Sequence, residues 1–285
     1  MSDFKSLTDC YTLSNGVKIP CVGFGTWQTK SGDEAENSVK WALESGYRHI
    51  DTAWIYGNEE SVGKAIKDSG IPRDQYFVTT KIFNRHRGYK DTIEMFETSL
   101  KNLGLFYVDL YLIHWPNPLH FRNAFPRILS GTWRAMEDIY KEGRARAIGV
   151  SNFCVRHLDA LFEYAEIKPH VNQIRLGPGD TKDDVVYYSR KNGLLLEAYS
   201  PLGTGELLKS PELKEIADKY NKSVAQLCIR WSIQMGFLPL PKSVTKERIE
   251  ENTNVFDFEI SQDDVRAMWL LKGNADTWHP DFVPW

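Results

Sequence analysis

Short apolar runs alternate with longer stretches of helical period along almost the whole chain. The pattern predicts strands near 21–25, 47–51, 77–82, 108–114, 147–151, 170–174, 194–199 and 237–241. Phe77-Val78-Thr79-Thr80, Leu110-Tyr111-Leu112-Ile113 and Ala147-Ile148-Gly149-Val150 are apolar or β-branched at nearly consecutive positions. That marks strands covered on both faces, as in a parallel sheet. Helical patterns follow near 33–45, 59–68, 90–103, 130–142, 154–164, 181–192, 222–235 and 246–252. Eight strand–helix units predict an α/β fold, a closed (β/α)8 or TIM barrel. An N-terminal β-hairpin is expected around Asn15-Gly16, the pair favoured in type I′ turns. Two extra helices are expected, near 211–219 and 261–271. Two long connections, 115–129 and 201–210, are candidates for functional loops.

The 285 residues, 42% of them hydrophobic, suffice for one large core. Barrels of this kind run to about 250 residues as one unit, so residues 1–285 are read as one domain. The net charge of −3 argues against a nucleic-acid-binding surface. The four cysteines (Cys10, Cys21, Cys154 and Cys228) show no metal-ligand spacing, and no metal is expected. No signal-peptide pattern opens the chain, and no apolar run nears the roughly 20 residues that span a bilayer. The expectation is a cytoplasmic protein without a membrane partner, acting as a monomer on a small molecule.

Three successive strands end in ionisable groups: Asp51, Lys81 and His114. Neighbouring barrel strands bring such groups to one mouth, and Tyr56 arrives there on the loop after Asp51. Taken singly, each has an ordinary structural explanation: a helix cap, a solvated cation, a satisfied histidine. Three in succession point to chemistry. A phenol is a weak acid with a pKa near 10, and an adjacent ammonium lowers it. Lys81 is expected to do this for Tyr56, with Asp51 holding Lys81 and His114 aiming a substrate oxygen. This set suits carbonyl reduction, in which a hydride reaches carbon and Tyr56 protonates oxygen. The chain has no hydride source of its own, so a cofactor is required.

Gly23-Phe24-Gly25-Thr26-Trp27-Gln28 is a poor dinucleotide fingerprint, because Gln28 stands where a third glycine belongs. The better phosphate site is Pro239 to Arg248, a strand end followed by a helix start. Lys242, Ser243 and Arg248 would suit a 2′-phosphate there. A solvated basic helix start capped by Ser243 or Thr245 explains the segment equally well.

With these residues in place, the chain resembles the aldo-keto reductases over roughly residues 10–272. The resemblance rests on Gly46-Tyr47-Arg48-His49-Ile50-Asp51-Thr52-Ala53, Tyr56-Gly57-Asn58-Glu59, Thr80-Lys81, and Asp109 through Pro116. It rests also on Gly149-Val150-Ser151-Asn152-Phe153, Val171-Asn172-Gln173, Ala198-Tyr199-Ser200-Pro201-Leu202-Gly203 and Pro241-Lys242-Ser243. It implies an NADPH-dependent (NADP) carbonyl reductase without a metal, with Asp51, Tyr56, Lys81 and His114 as catalytic tetrad. By the same resemblance Ser151, Asn152 and Gln173 hold the nicotinamide carboxamide, and Tyr199 stacks on its ring. Gly25, Thr26 and Trp27 lie beside the cofactor, and Ser200, Leu202 and Thr204 meet the pyrophosphate. Lys242, Ser243, Val244 and Arg248 match the 2′-phosphate site, and Glu251 and Asn252 the adenine site. Glu206 is expected to close over the cofactor by pairing with Lys242. Trp27, Trp54 and Trp115 are expected to wall the substrate pocket beside Tyr56 and His114. Microbial family members acting on keto-sugars, methylglyoxal and small aldehydes are similar in length and motif.

One segment departs from the family pattern. After Ile174 the chain reads Arg175-Leu176-Gly177-Pro178-Gly179, where Glu, an apolar residue, His and Pro are usual. Its two glycines are expected to loosen that rim. The aromatics of the C-terminal tail, Trp278 to Trp285, either reach over the pocket or pack loosely at the rim. A nucleotide-binding regulatory or structural protein on the same fold is the alternative, disfavoured by the intact tetrad. A metal-dependent hydrolase would need more strand-end histidines than His114.

Overall fold

The computed structural model describes residues 4–272 and 279–284. Eight strands form one sheet, each hydrogen-bonded to its sequence neighbour in parallel: β3 (Phe24–Gly25), β4 (His49–Asp51), β5 (Phe77–Ile82), β6 (Val108–Ile113), β7 (Ala145–Ser151), β8 (Val171–Arg175), β9 (Leu195–Tyr199) and β10 (Leu238–Leu240). The first and last strands close the ring. Gly23 and Gly25 donate their N–H groups to the carbonyls of Pro239 and Pro241, both at 3.0 Å. Pro239 lacks an N–H, yet its carbonyl still serves this seam.

Eight helices wrap the strands: α1 (Asp33–Glu44), α2 (Glu59–Asp68), α3 (Tyr89–Leu103), α4 (Arg127–Lys141), α5 (Val155–Phe162), α6 (Asp183–Lys191), α8 (Val224–Gln234) and α9 (Lys246–Glu251). The expected additions are α7 (Pro211–Lys219) and α10 (Gln262–Trp269). Ser210, Ser223 and Ser261 cap α7, α8 and α10 through their hydroxyls, which explains why these helices start where they do. No helix among the described residues is long and apolar enough to cross a membrane.

Alternation along the strands divides the core. Val78, Ile82, Tyr111, Ile113, Ile148 and Val150 point outward and pack under the helices. Phe77, Leu110, Leu112, Ala147, Val171, Leu238 and Leu240 point inward and fill the barrel. The N-terminal hairpin, β1 (Cys10–Thr12) with β2 (Lys18–Pro20), adds Leu13 and Ile19 to this inner cluster. It thereby seals the floor of the barrel, and Tyr11 Oη anchors it to the Phe237 carbonyl at 3.0 Å.

The hairpin turn differs from the expected type I′. Gly16 donates to Leu13 O, and Leu13 donates to Val17 O. Only Gly16 takes a positive φ, +86°, so the connection is a three-residue loop in which a single left-handed glycine follows the turn. Asn15 spends its side chain elsewhere, donating to the Arg146 carbonyl and accepting from the Val17 N–H. In the 115–129 connection, a 3-10 turn at Leu119–Ala124 precedes α4, which starts at Arg127 rather than 130.

Candidate active site

Asp51 ends β4, Lys81 lies one residue from the end of β5, and His114 follows β6. On β4, Ile50 belongs to the outer core, so His49 and Asp51 face inward. The same alternation turns Lys81 inward between Thr80 and Ile82. Lys81 is fully buried and donates to both Asp51 oxygens, at 2.7 and 2.9 Å, and to the Thr52 carbonyl at 2.9 Å. A short 3-10 turn, Trp54–Tyr56, brings the Tyr56 ring to 5.2 Å from the Lys81 ammonium. On its other side the Tyr56 ring meets His114 edge-on, with centroids 5.8 Å apart. The structure therefore gathers all four predicted catalytic residues at one mouth.

Their electrostatics differ from the sequence expectation in one respect. Burial pushes the Tyr56 phenol up, and Lys81 only partly offsets this. The net shift is upward, not the lowering expected from Lys81. Burial also works against charge on Lys81, but Asp51 and Tyr56 outweigh it and its pKa rises. His114 is held well below its usual range by burial, then by the Lys81 and Arg87 cations. The site at neutral pH thus contains a protonated phenol, a lysinium held by Asp51 and a neutral imidazole.

The residues assigned to the nicotinamide form one connected group. Gln173 donates its side-chain amide to Asp51 at 2.9 Å, and its backbone carbonyl accepts from Ser151 Oγ at 2.8 Å. Asn152 donates to the His114 carbonyl at 2.9 Å and accepts from the Tyr199 hydroxyl at 2.8 Å. Lys242 comes within 3.4 Å of the Gln28 carbonyl, and its pKa is lowered by burial, with Glu34 opposing. Ser243 folds its hydroxyl into the local turn and accepts from the Thr245 N–H at 3.1 Å, while Arg248 and Val244 are exposed. Glu251 is half-buried and Asn252 buried at the end of α9.

Four of the six non-glycine residues in the left-handed region among the described residues lie on this rim: Gln28 (φ +58°), Asn152 (+62°), Ser200 (+49°) and Thr204 (+55°). Such conformations cost about 1–3 kcal/mol each and persist where function or packing imposes them. Four of them on the connections after β3, β7 and β9, together with buried amides and a basic helix start, fit the binding of an extended phosphorylated dinucleotide.

The structure places the remaining expected residues as follows. Glu206 pairs with Lys209 at 2.9 Å, three residues on, rather than with Lys242. Thr26 spends its hydroxyl on the Asp51 carbonyl at 3.0 Å, so the strand end is its main partner. Gly25 lies on β3, and Trp27 is 45% exposed at the rim. Leu202 packs against the outer core. The divergent rim is pinned rather than loosened. Asp180, buried, bridges Arg175 and Lys182, both at 2.6 Å. Gly179 donates to the Met268 carbonyl, and a side chain there would strike Leu271 O. Trp278 and Trp285 lie outside the described residues, and Phe282 is 74% exposed.

Three contributions were not foreseen. Trp54 stacks on Phe83 (6.3 Å, 29°) and meets His86 edge-on at 5.2 Å, so the aromatic wall extends beyond the three tryptophans. Both rings lie within five residues of Lys81, and that proximity was the available signal. Arg87, buried, donates to the Trp115 carbonyl at 2.7 Å and fixes that wall. Asp281 in the tail accepts from Asn117 (2.9 Å), Arg156 (2.8 Å) and His157 (2.9 Å), and so ties the 115–126 loop to α5.

Sequence comparison agrees with this geometry. The Aldo/keto reductase family profile matches residues 21–269. A glyoxal reductase of Bacillus subtilis is 49% identical over 260 residues, which are 91% of this chain and 91% of the relative. The crystal structure of an aldo/keto reductase from Brucella melitensis is 46% identical and superposes with a TM-score of 0.87, covering 93% of this chain and 98% of that one. An aldo-keto reductase of Bombyx mori, solved in complex with NADP, is 36% identical with a TM-score of 0.85, covering 94% of each chain. The chain belongs to the aldo/keto reductase family.

Proposed function

We propose that this NADP-dependent oxidoreductase reduces small aldehydes and dicarbonyls to alcohols, with Tyr56 as the proton donor. The observation that carries the reading is the Tyr56 phenol set between a buried lysinium and a neutral imidazole. The glyoxal reductase relative supports the dicarbonyl class, and the NADP complex of the Bombyx relative supports the cofactor.

When bound, the reduced nicotinamide supplies the hydride. The chain's own residues do the rest. His114, neutral, orients the carbonyl oxygen by a hydrogen bond without competing as an acid. Tyr56 passes its proton to that oxygen as charge develops there. Lys81 stabilises the phenolate left behind, and Asp51 keeps Lys81 charged and in place. Ser151, Asn152 and Gln173 hold the carboxamide, with Tyr199 against the ring. Ser200, Leu202 and Thr204 flank the pyrophosphate. Lys242, Ser243, Val244 and Arg248 take the 2′-phosphate, and Glu251 and Asn252 the adenine. The aromatic rings of Trp27, Trp54 and Trp115 exclude water around the carbonyl.

Purified protein should oxidise NADPH when given methylglyoxal or 4-nitrobenzaldehyde. Tyr56→Phe should lower the rate by about 10²–10⁴ while NADPH still quenches tryptophan fluorescence. A Tyr56→Phe variant working at the full rate would refute the assignment.

A further inference from the structure

Beneath the tetrad lies a second carboxyl group that the proposed mechanism does not use. Glu197 sits in the middle of β9, inside an otherwise apolar run, Leu194-Leu195-Leu196-Glu197-Ala198. Leu196 and Ala198 pack outward, so alternation sends Glu197 into the barrel, where it is fully buried. It is the register partner of Gln173 on β8. Gln173 Nε2 donates to Glu197 Oε2 at 2.7 Å and to Asp51 Oδ2 at 2.9 Å. The other Glu197 oxygen has no hydrogen-bond partner and lies 4.0 Å from His49 Nε2. His49 Nε2 is already engaged with the Thr79 hydroxyl at 2.9 Å.

A primary amide can be turned either way, and its neighbours decide which end is nitrogen. Here both neighbours are carboxyl groups. Asp51, both of whose oxygens receive a hydrogen bond from Lys81, acts here as an acceptor. Glu197 keeps an accepting oxygen in either protonation state. Both amide hydrogens are therefore drawn toward the two carboxyls. The amide oxygen diverges from the nitrogen by about 120° by sp² geometry, so it points away from them. No hydrogen bond among the described residues occupies that oxygen.

We propose that Glu197 is a positioning residue for the cofactor: with Asp51 it locks the Gln173 amide so that its oxygen is presented as a fixed acceptor to the N–H of the nicotinamide carboxamide. This rests on the proposed function, and it adds an orientation rule that Gln173 alone does not supply. Without Glu197, one amide hydrogen loses its partner and the flipped rotamer, which offers an N–H, becomes accessible. A donor facing the carboxamide N–H would repel it. Burial raises the Glu197 carboxyl to about 8, so locking at neutral pH relies on its accepting carbonyl oxygen.

The test compares NADPH with the reduced 3-acetylpyridine analogue, whose methyl ketone lacks the carboxamide N–H. Binding of each is measured by tryptophan fluorescence quenching. Wild type should prefer NADPH by about three- to tenfold, the value of one net hydrogen bond. Glu197→Met, apolar and nearly isosteric, should bring that ratio close to one. Glu197→Gln, which retains an accepting oxygen, should restore most of it. An unchanged ratio in Glu197→Met overturns the proposal.

A second measurement needs no foldable Glu197 variant. The Gln173 side-chain NH₂ of the wild-type protein, identified by its loss in Gln173→Met, should exchange slowly with solvent in amide spectra. Rapid exchange there would overturn the proposal as well. Failure of wild type to bind or oxidise NADPH would instead refute the proposed function, and the exchange experiment would still decide the orientation of Gln173.

Discussion

The salt bridge between Lys81 and Asp51 is costly to disturb from one side. Lys81 has no exposure, and Asp51 supplies both of its carboxylate contacts. Removing one partner of a buried pair leaves the other charge unbalanced, at a cost of about 3–5 kcal/mol. Asp51→Ala should therefore lower the thermal midpoint measurably as well as the rate. Asp51→Asn, which retains an accepting oxygen, should lower the rate with a smaller loss of stability. Calorimetry on the two variants separates these outcomes, and equal midpoints would contradict the account. The direction of the Tyr56 shift was not visible in the sequence. Which effect wins there, burial or the ammonium, depends on how deep the ring sits, and no spacing encodes that depth. The residue identities themselves were legible, because Asp51, Lys81 and His114 stand at or beside the C-terminal ends of three successive strands.

Among the elements, the 115–126 loop is held from outside. Asp281 collects Asn117 from the loop and Arg156 and His157 from α5, and Arg122 reaches the Val283 carbonyl at 2.5 Å. His157 Nδ1 accepts from the Cys154 N–H at 3.1 Å, so its Nε2 carries the proton that Asp281 receives. Asp281→Ala should free the loop, raising the Michaelis constant for the carbonyl on the order of tenfold while NADPH binding stays unchanged. Steady-state kinetics with the two ligands varied separately would check this, and a matching loss of NADPH affinity would count against it. Strand and helix positions were readable from periodicity to within a few residues, as for β5 and α7. The clasp was not, because Asn117 and Asp281 are 164 positions apart and neither sits in a periodic element. Glu197 was readable in principle, as a charge within a buried strand. The rim at Arg175 to Asp180 looked loose because glycine content carries no record of the ion pairs that pin it.

For the molecule as a whole, buried titratable groups set an acidity window for stability. Burial holds His49 and His157 at about 3, and His170 is also lowered. These histidines bind protons more readily when unfolded, so stability falls as pH drops below about 6.5 toward 3. Glu197 acts in the opposite sense. Its folded value of about 8 lies above the unfolded one, so its contribution is complete below about 4.5 and is lost as pH rises through 8. Between about 4.5 and 6.5 the histidines outnumber it, and from about 6.5 to 8 it sets the direction of the slope. Stability should therefore peak near pH 6.5, with each group contributing a slope of at most about 1.4 kcal/mol per pH unit. Denaturant midpoints from pH 5 to 9 would check this, and Glu197→Gln should flatten the alkaline limb. A midpoint that climbs steadily to pH 9 would contradict it.

The hairpin that seals the floor also has a temporal consequence. Leu13 and Ile19 complete the inner packing, so traffic is confined to the mouth. The proposed carboxamide holders, Ser151 and Gln173, are at strand level, whereas Trp54 stands on the connection above. Whatever binds at strand level must arrive first and depart last. Initial-rate patterns should accordingly be ordered, and excess carbonyl should slow turnover by settling over the spent nucleotide before it can leave.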